Sequence, residues 1–136
     1  LDTDVLSDLF AGHVGHAQRL AAIDPDDRRI PIAAAAEVVR GWLAAIRQAE
    51  AGRGRMTLEF AFDRLQQSLV GLAPFTLLPY TTAADALVRA WRAARIRVGT
   101  NDLRIAATCI IHGATLATRN ARDYAQVPGL TYDVWN

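Results

Sequence analysis

Acidic and amide side chains stand at the places in this sequence where an α/β sheet gathers its functional groups. Such groups collect at the carboxyl ends of parallel strands. Carboxylates brought together there repel one another unless a cation lies between them, and Mg²⁺ and Mn²⁺ prefer oxygen ligands of this kind. We therefore expect a divalent metal site suited to phosphate chemistry. Five side chains at or just beyond a predicted strand, or at the start of the next helix, are its candidates: Asp2, Glu37, Asp102, Asn120 and Asp123.

Each of the main acids also has an explanation that needs no catalysis. Asp2 or its neighbour Asp4 can cap the helix that follows. Glu37 is expected in a first helical turn, where the helix dipole favours a negative charge, and Asp102 can serve as a helix cap. However, Glu37 stands among alanines and valines, and Asp102 adjoins the buried face of its helix. Since buried acids need partners, the set as a whole favours a shared site.

The basic residues are all of one kind. All fifteen are arginine, there is no lysine, and the formal net charge is +1. Each positively charged side chain is therefore a planar guanidinium group, which can form paired hydrogen bonds to a phosphate or a carboxylate. Any mechanism that needs a lysine is excluded. Arg104 and Arg119 lie nearest the acids in sequence, whereas Arg89, Arg92 and Arg95–Arg97 suit an exposed helix surface.

The elements that must position these residues alternate between strands and helices. The segment Leu1–Val5 is predicted to be a strand end that runs into a helix. Further strands are predicted at Arg29–Ala33, Phe75–Leu78, Thr115–Thr118 and Thr131–Val134. Predicted helices cover Gln18–Ile23, Ala34–Gln48, Met56–Leu72, a segment capped by Thr81 or Thr82, and Asp102–His112. Strands separated by helices indicate an α/β fold with a central, mostly parallel sheet flanked by helices in three layers.

Length and composition fit one compact domain over residues 1–136. The chain is 51% hydrophobic and 21% charged, ordinary values for a globular protein. The longest apolar runs are too short to span a membrane, and Cys109 is the only cysteine, so a disulfide within the chain is excluded. We expect a cytoplasmic protein, with a few residues missing before Leu1. The three histidines are too scattered in sequence to predict a metal site.

Four segments resemble blocks of one known family. Leu1–Leu9, Ile32–Gly41, Gly99–Ala107 and Leu116–Tyr124 are similar, in order and near spacing, to the acidic blocks of PIN-domain ribonucleases of the VapC toxin type. Each block alone is weak evidence for the family, and the third block, Gly99–Ala107, is the most specific of the four. The resemblance implies a PIN-like α/β/α fold and a Mg²⁺- or Mn²⁺-dependent endoribonuclease that hydrolyses RNA. It also implies a cognate antitoxin that holds the enzyme inactive.

The resemblance assigns roles to individual residues. Asp2, Glu37 and Asp102 correspond to the acidic centre, with Asp2 and Asp102 as the principal metal ligands. The family's fourth acidic position falls on Asn120, a departure that removes one charge. Either Asn120 still completes the site by accepting a hydrogen bond from metal-bound water, or Asp123, one helical turn further on, takes its place.

Two alternatives stay open at this point. Asp2-Thr3-Asp4-Val5 also fits the nucleophile motif of haloacid-dehalogenase-type phosphatases, but those enzymes generally use a lysine that this chain lacks. A degenerate PIN domain that only binds RNA or protein is the non-enzyme alternative, and Asn120 is the feature that favours it.

A large apolar surface leads us to expect a homodimer, with part of that surface under the partner copy or the antitoxin. Its members are aromatic and leucine side chains at helical spacing: Trp42, Phe60, Phe62, Leu65, Leu69, Leu72 and Trp91.

Overall fold

The structure, a computed structural model, describes all residues from Leu1 to Asn136. Its helices are α1 (Thr3–Phe10), α2 (Val14–Ala21), α3 (Ile32–Glu50), α4 (Leu58–Leu72), α5 (Thr82–Ala93), α6 (Thr100–Ile111) and α7 (Ala121–Tyr124), with a 3₁₀ turn at Pro25–Asp27. Its strands are β1 (Arg29–Pro31), β2 (Thr76–Leu78), β3 (Leu116–Thr118) and β4 (Tyr132–Val134). No helix is long and apolar enough to cross a lipid bilayer.

The strands form two parallel pairs joined by the start of the chain. β1 pairs with β2, placing Ile30 opposite Leu77, and β3 pairs with β4. The amino group of Leu1 donates to the carbonyl of Arg29 at 2.9 Å, and the backbone N–H of Asp2 donates to the carbonyl of Ala117 at 2.9 Å. Backbone hydrogen bonds from these two residues therefore link β1 to β3. The predicted α/β fold with parallel strands is confirmed.

The core lies where α1, α3 and α6 meet the strands. Ile30, Leu116 and Tyr124 are fully buried, as are Val5 and Leu6 of α1. In α6 the whole run from Leu103 to Cys109 except Arg104 is buried. A helix that is apolar almost all round belongs inside a protein, and this one brings its first turn, with Asp102, to the edge of the strands.

Two helices begin earlier than predicted, and this changes the setting of two candidate acids. β1 spans only three residues, and α3 starts directly after it at Ile32, because Pro31 has no N–H to continue the strand ladder and its fixed φ favours a helix start. Glu37 therefore lies in the second turn of α3, not the first. α6 starts at Thr100 with Gly99 as its N-cap, so the prediction that Asp102 opens this helix is wrong.

Other boundaries agree to different degrees. In the segment Leu1–Val5, α1 begins at Thr3 and no strand precedes it. Thr81 caps α5, as expected, by accepting a hydrogen bond from the N–H of Ala84 at 3.2 Å. α2 begins at Val14 instead of Gln18, because the His13 ring accepts from the N–H of His16 at 3.1 Å and caps it. The short helix α7 was not predicted.

The apolar residues of α4 are divided between the core and the surface. α4 buries Ala61, Ser68 and Leu72, whereas Phe62 and Leu69 are 50% and 52% exposed. The apolar residues of α4 that share helical spacing therefore do not all face the same way. Trp91 of α5 lies in the core, at 7% exposed, and is not part of the exposed apolar surface.

Candidate active site

Asp2 is a buried carboxylate held by three donors. Its side chain is 4% exposed. Oδ1 accepts from the N–H of Thr3 at 2.8 Å and from the hydroxyl of Tyr124 at 3.2 Å, and Oδ2 accepts from the hydroxyl of Thr118 at 2.6 Å. Burial raises the pKa of Asp2, and the three hydrogen bonds oppose that rise. Asp2 does cap α1, but its other two donors come from β3 and α7.

Glu37 is oriented from two sides. Its Oε2 accepts from the Thr3 hydroxyl at 2.8 Å and from the Asn101 side-chain amide at 2.5 Å. The Asn101 amide also approaches the carbonyl of Ala33 at 3.4 Å. These contacts tie the start of α1, the second turn of α3 and the first turn of α6 around one carboxylate. Oε1 of Glu37 makes no hydrogen bond.

Asp102 has a raised pKa because it is partly buried and is subject to the negative charges of other acids. Burial, followed by the negative charges of Asp2, Glu37, Asp123 and Asp4, raises its pKa to about 6. These charges come from the start of the chain, α1, α3 and α7. A Cβ at Gly99 would lie 3.0 Å from Oδ2 of Asp102, so the glycine leaves room for this carboxylate.

Asn120 and Asp123 are bonded to each other. The Asn120 amide donates to Oδ2 of Asp123 at 3.0 Å, and its carbonyl oxygen accepts from the Asp123 N–H at 3.4 Å, which caps α7. The Asn120 N–H donates to the Thr118 hydroxyl oxygen at 2.9 Å. Thr118 therefore connects this pair to Asp2 through hydrogen bonds. The negative charge of Asp123 also contributes to the raised pKa of Asp102.

None of the four acids in this cluster has an ion-pair partner. The carboxylates that pair with arginine are others: Asp8, Asp27, Asp85 and Asp133. Arg119, one of the two arginines expected near the site, donates to Asp8 at 2.8 Å and is about half exposed. Arg104, the other, is exposed. The cluster of Asp2, Glu37, Asp102 and Asp123 thus carries negative charge without a neutralising side chain.

This donor set suits a hydrated divalent cation. No three of the His, Cys, Asp and Glu side chains lie close enough together to hold a metal ion jointly. Mg²⁺ keeps several of its waters and commonly binds proteins through one or two carboxylates, so it does not require a third protein ligand. The unbalanced charge around Asp102 is what a cation would relieve. The residues present therefore fit Mg²⁺ or Mn²⁺.

The histidines lie apart from this cluster. His13 and His16 stack with ring centroids 4.0 Å apart, and buried His16 approaches Asp8 at 3.5 Å. His112 contacts the carbonyl of Pro79 at 3.1 Å. Their contacts are consistent with the structural or surface roles expected for them.

Sequence reasoning missed the residues that hold the acids. Thr3, Asn101 and Thr118 lie beside predicted acids or within the family blocks, so proximity in sequence was an available signal for them. Tyr124 carried a weaker signal, a buried aromatic residue whose polar tip must find a partner. Nothing in the sequence indicates which carboxylate that tip contacts.

Comparison with known proteins supports a family assignment. The PIN domain family model matches residues 1–130. "Ribonuclease VapC1" from Rickettsia felis is 37% identical over 70 residues, which are 52% of this chain and 52% of that protein. The chain thus spans about half the length of this curated relative.

Solved structures agree in fold. A chain of VapBC2 from Rickettsia felis, bound to a DNA fragment from the promoter, superposes with a TM-score of 0.77 at 18% identity, covering 99% of this chain and 96% of that one. A chain of DNA-bound VapBC from Salmonella typhimurium gives 0.78 at 21% identity, with the same coverage of 99% and 96%. A toxin–antitoxin complex from Klebsiella pneumoniae gives 0.65 at 24% identity over 99% and 93%. On the family match over nearly its whole length, this chain belongs to the PIN domain family.

Proposed function

We propose that this protein is a Mg²⁺- or Mn²⁺-dependent endoribonuclease of the VapC type, formed by residues 1–136 and acting as the toxin of a toxin–antitoxin pair. The observation that carries the proposal is the set of four carboxylates from the start of the chain, α3, α6 and α7, none of which pairs with an arginine. Hydrogen bonds between elements hold Asp2 and Glu37, and the side chain of Asn120 holds Asp123. Membership of the PIN family and the similarity to a VapC ribonuclease support the same activity.

Asp2 and Asp102 would hold the metal. A divalent cation bound there would offset the charge that develops on a scissile phosphate and favour attack by water. Glu37 is fixed through Oε2 by Thr3 and Asn101, which leaves Oε1 free to accept the proton of the attacking water. Asn120 keeps Asp123 oriented beside the site, so that Asp123 supplies the fourth charge.

The substrate that this chemistry fits is RNA. Arg104 and Arg119 would contact backbone phosphates, since arginine forks suit phosphate oxygens. Arg119 is anchored by Asp8 and remains half exposed, so it can reach a bound strand. We expect the protein to act in the cytoplasm.

A cognate antitoxin and a second copy of the chain are the proposed protein partners. The structural neighbours include VapBC complexes and a toxin–antitoxin complex. The exposed apolar side chains of α4 provide surface for such contacts, because large apolar patches on a protein mark interaction sites.

The alternatives are less well supported. The phosphatase alternative lacks its lysine, and family membership favours a nuclease. A degenerate binding domain would be expected to lose the acidic cluster, whereas in this proposal Asp123, whose charge helps to raise the pKa of Asp102, replaces the charge missing at Asn120.

The test is cleavage of total cellular RNA by purified protein, with Mn²⁺ titrated in and EDTA as the control. We expect cleavage that rises with Mn²⁺ and stops on chelation. Calorimetry in parallel should detect Mn²⁺ binding to the free protein. Absence of both binding and cleavage in folded protein would contradict the proposal, whereas binding of RNA alone would favour the degenerate-domain alternative.

A further inference from the structure

Tyr124 places a hydroxyl on an acid that the proposed function makes a metal ligand. Its ring is fully buried, and its only hydrogen bond runs to Oδ1 of Asp2 at 3.2 Å. The ordinary pKa of a phenol is about 10, so the hydroxyl is protonated at neutral pH and donates to Asp2. A buried tyrosine hydroxyl usually finds a hydrogen-bond partner, and here that partner is the carboxylate of Asp2.

The hydrogen bonds on Asp2 leave few of its lone pairs open. A carboxylate offers about four lone-pair sites, two on each oxygen. Oδ1 accepts from the Thr3 N–H and the Tyr124 hydroxyl, so both of its sites are used. Oδ2 accepts only from the Thr118 hydroxyl and keeps one site. Asp2 can therefore offer one oxygen to a cation, not two.

We propose that Tyr124 is a positioning residue that restricts Asp2 to one-oxygen coordination and thereby favours Mg²⁺ over Ca²⁺ at this site. Mg²⁺ demands near-octahedral geometry and keeps its waters, whereas Ca²⁺ readily takes both oxygens of a carboxylate in a larger and more flexible shell. Blocking Oδ1 disfavours the coordination that Ca²⁺ prefers. This inference rests on the proposed function, because it requires Asp2 to be a metal ligand.

Three variants separate this role from a contribution to packing. Tyr124→Phe removes the donor from Oδ1 and keeps the ring. Thr118→Val removes the donor from Oδ2 and leaves Oδ1 blocked. Tyr80→Phe is the matched control, because Tyr80 donates to a carboxylate of α5, Asp85, at 2.8 Å, and breaking that bond leaves the contacts of Asp2 unchanged.

The measurement is calorimetric titration of each metal-free protein with Mg²⁺ and with Ca²⁺, alongside a thermal melt. Mutation of a residue that hydrogen-bonds a metal ligand typically changes the metal affinity by about 10- to 100-fold. We expect the ratio of the Ca²⁺ to the Mg²⁺ dissociation constant to fall by about 10-fold in Tyr124→Phe. Thr118→Val should weaken both ions alike and leave the ratio unchanged, and Tyr80→Phe should change neither constant.

An unchanged ratio in folded Tyr124→Phe would overturn the inference, as would wild-type protein that binds Ca²⁺ more tightly than Mg²⁺. The second result needs no variant, so the inference stays open to disproof even if Tyr124→Phe is unstable. Wild-type protein that binds neither ion would overturn the proposed metal site itself and the inference with it. The two failures are therefore distinguishable.

Discussion

At Asp102, burial and then the negative charges of four other carboxylates raise the pKa of the side chain to about 6. The helix it belongs to is capped by Gly99 and makes no side-chain cap hydrogen bond. Asp102 is therefore not needed to start α6. The negative charge of Asp102 repels the other acids of the site, and capping the helix does not explain why an acid stands at this position.

Asp102→Asn should abolish RNA cleavage and leave the fold intact. The substitution removes an anionic ligand for the metal but preserves side-chain shape, and it relieves repulsion among the acids. We expect the free energy of unfolding to change by no more than about 1 kcal/mol. RNA cleavage with added Mn²⁺ and a thermal melt check the two halves of this prediction.

The matched control is Asp85→Asn, which makes the same replacement near the start of α5, where Asp85 pairs with Arg89. This control should cleave RNA at the wild-type rate. Cleavage by Asp102→Asn at that same rate would show that Asp102 is not a metal ligand.

The raised pKa of Asp102 also predicts how the metal-free protein responds to pH. The folded state holds this proton more tightly than the unfolded chain, whose Asp pKa is near 3.8. The resulting stability is present in acid and is lost as pH rises from about 4 through about 6. For a half-buried group the effect is on the order of 1 kcal/mol after solvent screening. Chemical denaturation of wild type and Asp102→Asn at pH 5 and pH 8 measures it.

The difference between the two proteins cancels the titration of groups that do not act on Asp102, such as His16, and retains that of Asp102 together with the carboxylates coupled to it. Between pH 5 and pH 8, we expect the free energy of unfolding of the wild type to fall relative to that of Asp102→Asn. Added Mg²⁺ should reduce that relative fall at pH 8. Parallel pH profiles for the two proteins would contradict the assignment of the shift to Asp102.

At the scale of elements, the contact between α1 and α4 depends on a glycine. A Cβ at Gly71, near the end of α4, would lie 2.5 Å from Cε1 of Phe10. Alanine there gains helix propensity but forces the Phe10 ring to move. By contrast, a Cβ at Gly41, inside α3, would meet no atom within 4 Å.

These two glycines form a matched pair for a stability test. Gly41→Ala should raise the free energy of unfolding by about 0.5–1 kcal/mol, the usual gain inside a helix. Gly71→Ala should lower it by about 1 kcal/mol or more, because overpacking outweighs that gain. Urea denaturation of both variants gives the comparison. Equal gains in the two variants would show that the Phe10 ring moves at no cost.

At the scale of the whole molecule, one face remains apolar and uncovered. Leu43 of α3, Leu69 of α4 and Leu77 of β2 are 39%, 52% and 45% exposed and line the same groove. Burying apolar area of this kind drives association. This face is the surface on which we expect the proposed homodimer to form.

Leu69→Glu should therefore shift the protein from dimer to monomer, since a buried, unpaired carboxylate is costly. Light scattering after size-exclusion chromatography over a wide concentration range measures the mass. Val14→Glu is the control, because Val14 of α2 is 68% exposed and lies outside the groove. Wild-type protein that stays monomeric at every concentration would contradict the dimer, and an unaffected Leu69→Glu dimer would place the interface elsewhere.

Local signals in the sequence were sufficient for the order of elements and for the candidate acids. Apolar spacing, Pro31 and the threonine caps act within a few residues, which is why the main helices and all four strands were predicted to within a few residues. Asp2, Glu37 and Asp102 were recognised because polar residues near strand ends stand out against an apolar background. The resemblance to PIN-domain proteins over four blocks is confirmed by the family match.

The tertiary structure decided what the acids contact and which apolar residues stay exposed. Asp2 receives its donors from Thr118 and Tyr124, which are 116 and 122 residues away in the chain. The pKa of Asp102 depends on charges from separate elements, and α4 turns Phe62 and Leu69 outward although their spacing suited a core stripe. Contacts of this kind form only when distant segments pack together, so local propensity carries no information about them.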